Sequence, residues 1–122
     1  MKKAVKVQPD GKWEIIEFDN DTSLDVLQKA VDGFIEAVTV KPNHFVMWVN
    51  EEYLYRPDFT QNILGTALYE QATGAEHPVF GTIVVTGDGD SEGETKGLDE
   101  AHLNLIVKMA TFHEQAIDKI TD

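Results

Sequence analysis

Asp88, Asp90 and Glu92 alternate along an acidic stretch broken by glycines, Gly87-Asp88-Gly89-Asp90-Ser91-Glu92-Gly93-Glu94-Thr95-Lys96-Gly97. Oxygen ligands at the first, third and fifth positions, followed by a glycine for a sharp turn, are what a hard cation such as calcium asks of a loop. The rest of the pattern fits less well. The eighth position would be Thr95, where such loops carry an apolar residue. The twelfth would be Asp99, shorter than a bidentate glutamate and better placed to cap a helix, and the preceding segment reads as a strand where a calcium hand has a helix. A solvated connection between strand and helix is the plainer expectation. The stretch contains neither Gly-Lys-Ser/Thr nor G-x-G-x-x-G, and its acids repel anions, which excludes nucleotide binding of those kinds.

Other chemistry is sparse. Ser23 and Ser91 are the only serines, at a helix start and in the acidic stretch, and neither sits in a nucleophile elbow. His44, His77, His102 and His113 form no H-x-x-x-H pair. His102 and His113 are three helical turns apart, about 16 Å, too far to share a metal within one chain. His113 falls at the edge of an apolar arc and reads as a packed or interface histidine. Adjacent carboxylates such as Glu51-Glu52 are ordinary on surfaces. No catalytic constellation emerges, so the expectation is a protein that is not an enzyme and carries no cofactor. Among the aromatics, Trp48 reads as core, whereas Tyr53 and Tyr55 fall in a loop and are expected to form an exposed patch suited to a protein partner.

The elements that must hold these residues follow from periodicity. Ala4–Gln8 and Trp13–Phe18 alternate around Pro9-Asp10-Gly11, a hairpin signal. Thr22 with Asp25 three residues on resembles a capping box. Leu24, Leu27, Ala30 and Val31 form one helical face, and Gly33 is a stop. Phe34–Val40 and His44–Val49 are strands around a Pro42-Asn43 turn, the second so apolar that it is expected in the middle of the sheet. Asp58 with Gln61 predicts the next helix, with Ile63, Leu64, Ala67, Leu68 and Ala72 as its apolar face and Gly74 as its end. Gly65 costs that helix about 1 kcal/mol relative to alanine unless a neighbour packs close. Val79–Thr86 is a last apolar strand. A long final helix starts at Asp99, its cap, and runs to about Ile120.

That helix has two adjoining apolar stripes. Leu103, Ile106, Val107, Ala110 and Ile117 make one, and Leu105, Met109, Phe112, Ala116 and Ile120 make the other. Together they cover well over half the circumference, more than the roughly 100° arc that packing on one sheet requires. The second stripe therefore predicts a homo-oligomer interface, a homodimer in the simplest case. The expected fold is a single α+β domain over 1–122, with a mainly antiparallel sheet of about five strands and three helices in the order ββαββαβα.

Composition bounds the rest. The chain of 122 residues is 42% apolar and has no cysteine, which removes disulfides and thiolate metal sites. No run of about 18 apolar residues marks a membrane span, and the Met1-Lys2-Lys3 start does not read as a signal peptide, so a cytoplasmic protein without membrane contact is expected. The net charge is −12, from 22 acids against 10 bases with Arg56 the only arginine. Direct nucleic-acid binding, which needs clustered cations, is not expected. An acidic surface keeps small proteins apart in solution and also suits a basic partner or mimicry of nucleic acid.

An ordered set of weak motifs carries a family resemblance. Lys3-Ala4-Val5-Lys6-Val7 leads through Pro9-Asp10-Gly11 to Glu17-Phe18, then to Leu24–Leu27 and Val31-Asp32-Gly33-Phe34-Ile35-Glu36. Next come Met47-Trp48-Val49-Asn50-Glu51-Glu52, Asn62 and Thr66-Ala67-Leu68-Tyr69. Gly81–Gly87 and Glu92-Gly93-Glu94 before Leu98-Asp99-Glu100 complete it. Over residues 3–101 this pattern resembles the DUF3846 family, a domain of unknown function. The resemblance implies a small accessory protein of phages or mobile elements, acting inside the host cell, and supplies no activity. The chain differs in its aspartate-rich loop and its long apolar C-terminal helix. Taken together, a non-enzymatic homo-oligomer that binds a protein partner, a host or defence component, is expected. A small-ligand or calcium-binding protein using residues 87–97 is the alternative, and an acidic nucleic-acid mimic is a weaker one.

Overall fold

The computed structural model describes residues 1–40, 45–88 and 95–121, the side chains of 118–121 excepted. Strands β1 (Lys2–Val7) and β2 (Trp13–Phe18) pair antiparallel from Lys2 opposite Phe18 to Val7 opposite Trp13. The turn between them needs glycine twice over. Gly11 has φ 91°, and a Cβ there would stand 2.9 Å from Ile117 Cδ1.

Helix α1 spans Ser23–Val31 and begins after Thr22 as expected, yet the Thr22–Asp25 capping box does not form. The Thr22 hydroxyl is engaged with Asp19 instead: it accepts from the Asp19 amide at 3.1 Å and donates to the Asp19 carboxylate at 3.0 Å. The Thr22 amide donates to that carboxylate too, at 2.9 Å, and these bonds hold Asp19 below the usual carboxylate range. The helix ends at Val31, two residues before Gly33. Asp32 takes the left-handed conformation at φ 61°, a region that short polar side chains tolerate. Asn50 Nδ2 donates to the carbonyls of Val31 and Asp32 at 3.1 and 3.0 Å. Arg56 donates to the Asp32 carbonyl at 3.1 Å and its carboxylate at 2.9 Å.

Strands β3 (Ile35–Val40) and β4 (Phe45–Asn50) form the second antiparallel hairpin; the Pro42-Asn43 turn and His44 lie outside the described residues. Helix α2 (Ile63–Thr73) begins later than expected. Asp58 does not cap it because Arg56 claims that carboxylate at 3.2 Å. The cap is Asn62, whose Oδ1 accepts from the Gly65 amide at 2.9 Å while its Nδ2 donates to the carbonyls of Val7 and Gly81, each at 3.0 Å. Gly65 does face a close neighbour: a Cβ there would lie 3.2 Å from both Ile83 Cγ2 and Val79 Cγ1. Gly74, at φ 76°, ends the helix. Leu64 and Leu68 are buried, whereas Ile63 and Ala67 of the expected apolar face point outward.

Strand β5 covers only Ile83–Gly87. The segment before it, expected as strand from Val79, makes a single bridge between Phe80 and Gln61 and then turns at Gly81, φ 92°, beneath the ring of Phe59. The sheet order is β2-β1-β5-β4-β3, antiparallel throughout, so the last strand joins two hairpins at the centre. β4 has a neighbour on each side, as its apolar run predicts, but β5 and not β4 takes the middle of the sheet.

Helix α3 (Glu100–Thr121) starts at Asp99, whose Oδ1 accepts from the His102 amide at 2.8 Å. That bond, foremost, depresses the Asp99 carboxyl. α2 and α3 cover one face of the sheet over Val5, Val7, Met47, Ile83 and Val85. α1 covers the other, over Ala4, Phe18 and Val84. The architecture is α+β in the order ββαββαβα. Among the described residues no helix is long and apolar enough to cross a membrane.

Candidate functional site

Of the acidic loop residues, Asp88 is half-buried at the end of β5, while Asp90 and Glu92 lie outside the described residues. Among the described residues no three histidine or carboxylate side chains converge as a metal site. The ends of the loop are drawn together. Gly87 packs so close to the carbonyl of Gly97 that a Cβ would come within 2.6 Å of it, and the Leu98 amide donates to the Lys3 carbonyl at 2.8 Å. Lys2 Nζ donates to the Thr95 carbonyl at 2.7 Å and to Asn20 Oδ1.

On α3 the two stripes separate as periodicity predicts. Ile106 and Ala110 are fully buried and Leu103 and Val107 pack beside them. On the second stripe Leu105 is 38% exposed and Phe112 68%, with Met109 and Ala116 half-buried between and beyond them; the side chain of Ile120 is outside the described set. The steps 105, 109, 112 and 116 are four, three and four, the spacing of a heptad seam. From Ala101 to His113 the helix carries no acid and one lysine, Lys108. This acid-free stretch stands in a chain of net charge −12. His113 rests edge-on to Phe112, ring centroids 5.8 Å apart, and burial lowers its pKa. His102 instead pairs with Asp99 at 3.0 Å and meets the edge of Phe45.

The expected aromatic patch is only half right. Tyr55 is 81% exposed, but Tyr53 is buried. A short 3-10 turn, Tyr53–Tyr55, sends alternate rings to opposite sides, and Tyr53 turns in against Phe80 and His77. Its hydroxyl lies 3.2 Å from His77 Nδ1, which is also 3.0 Å from the carbonyl of Pro78. Burial, then the nearby Tyr69 and Glu36, push the Tyr53 phenol above its ordinary pKa.

These residues belong to a cleft of about 190 Å³ at the β3 edge. Glu36, Glu51, Tyr53, Tyr55, Tyr69 and His77 supply its polar and aromatic groups, with Val38, Val49, Leu54 and Val79 as apolar wall. Sequence reasoning missed Glu36, Glu51, Tyr69 and His77 as a group. Each sits on a different element, and no local spacing announces their meeting.

The fold and these surfaces define a small acidic α+β protein with one bare helix face and one aromatic, carboxylate-lined cleft. The chain belongs to the family described as Domain of unknown function (DUF3846), whose model matches residues 1–111. That span takes in the first half of α3, further than the motifs alone reached. Searches of curated proteins and of solved structures returned no significant match.

Proposed function

We propose that this protein works by binding and not by catalysis, as a homo-oligomer joined through the outer stripe of α3. The observation that carries this reading is the seam itself: Leu105 and Phe112 stand out from the helix at heptad spacing with Met109 and Ala116 between and beyond them, on an acid-free face. Two copies related by a two-fold axis would pack these seams together, since an isologous interface needs only one self-complementary patch. The assembled acidic surface then suits a basic protein partner. The setting proposed is that of a phage or mobile element, with a host or defence component as that partner, on the strength of the family resemblance.

The test is the oligomeric state. Analytical ultracentrifugation of the untagged protein should give a multiple of 13.6 kDa. Phe112→Glu, alone or with Leu105→Glu, should return the chain to a folded monomer whose melting temperature no longer depends on protein concentration. A wild-type protein that stays monomeric at high micromolar concentration refutes the reading, as does a Phe112→Glu variant that assembles normally.

A further inference from the structure

We infer that the cleft beside the Tyr53–Tyr55 turn is a binding site for an organic cation, an alkylammonium or guanidinium group. Size, lining and charge lead to the same ligand. At about 190 Å³ the cleft is smaller than the roughly 300–1,000 Å³ of pockets that take drug-sized molecules, and it fits one long side chain or a small amine. Three tyrosines line it, and aromatic rings gathered around a small space hold cations by their quadrupoles. Tyr53 keeps its proton across neutral pH, so its ring stays an uncharged phenol with an oxygen able to accept.

The charged groups agree. Among the described residues no lysine or arginine lines the cleft, so it offers an anion no fixed positive charge. Glu36 and Glu51 are both exposed at its walls, and neither has an ion-pair partner among the described residues. The apolar wall of Val38, Val49, Leu54 and Val79 suits the methylene stem that carries such a cation. This site is separate from the α3 seam and needs no second copy to complete it.

The test uses the full chain, both wild type and the Phe112→Glu variant, so that loss of assembly and loss of binding are read apart. The tyrosine and histidine rings are followed by NMR while n-butylammonium, methylguanidinium or a lysine capped at both ends is added, with n-butanol as the neutral control. Saturable shifts of Tyr53, Tyr55, Tyr69 and His77 are expected with the cations and not with the alcohol. The double variant Glu36→Gln/Glu51→Gln should bind about fivefold more weakly with an unchanged melting temperature, the scale set by two exposed charge pairs. Tighter binding of the capped lysine than of butylammonium assigns the site to a side chain of a partner protein; the reverse assigns it to a free amine. Equal response to the alcohol, no saturable shift with any cation, or unchanged affinity in the double variant would overturn the inference.

Discussion

Helices α2 and α3 lie on the same face of the sheet but are finished differently. α2 is sunk into the molecule. Gly65 removes the side chain that would hold it off Ile83 and Val79, and buried Asn62 ties its first turn to β1 and to the bend before β5. α3 buries one stripe and leaves Leu105 and Phe112 of the second on the surface. The contrast separates two uses of apolar side chains. In α2 they set the stability of the monomer; in α3 the surplus, Leu105 and Phe112, is left exposed. An apolar residue reports on folding only when the same chain covers it.

Substitutions can break that contrast, in decreasing order of expected effect. Leu68→Ala, at a site 1% exposed in α2, should cost about 3 kcal/mol in urea denaturation, because it removes a core side chain and leaves a cavity. A cost below about 1 kcal/mol would mean that α2 is not the anchor described. Asn62→Ala should cost about 2 kcal/mol, since the Val7 and Gly81 carbonyls and the Gly65 amide lose their partner together. Phe112→Ala, compared with wild type at a dilution where both are monomeric by ultracentrifugation, should change stability by no more than about 0.5 kcal/mol. A loss as large as that at Leu68 would show the ring to be part of the monomer core.

The smallest effect is one of pH. Burial lowers the His113 pKa, so the unfolded chain takes up that proton more readily than the folded one. The contribution of His113 to stability is therefore fully present above the ordinary imidazole pKa and is lost as pH falls below it. Melting curves between pH 8 and pH 5.5 should show this as a decline that His113→Gln removes. An identical decline in the variant would assign the pH dependence to groups other than His113; Asp19 and Asp99, whose carboxyl pKa values are depressed, lose their contributions only at lower pH.

Much of the fold was legible where a signal is local and repeated. The first hairpin, the apolar interior strand β4 and the two stripes of α3 each announce themselves through period or turn chemistry. Helix starts were less legible because several polar residues compete for each cap. Asp58 has the right side chain for α2, but the only arginine takes it, and the cap passes to Asn62. Thr22 likewise spends its hydroxyl on Asp19. Such choices depend on which partner arrives first in space, and spacing along the chain does not record that.

By itself, then, the sequence determined an acidic, cysteine-free α+β chain with an excess of apolar surface on its last helix. Those properties are sums and periods over residue types, and no knowledge of long-range contacts is needed to read them. Only the tertiary structure decided that β5 enters the centre of the sheet, that Tyr53 turns inward while Tyr55 turns out, and that Glu36, Glu51, Tyr69 and His77 share one cleft. The physical reason is that strand order and the crossing of α2 over β3 set which distant residues become neighbours. Side chains separated by dozens of residues carry no mark of one another until the backbone brings them together.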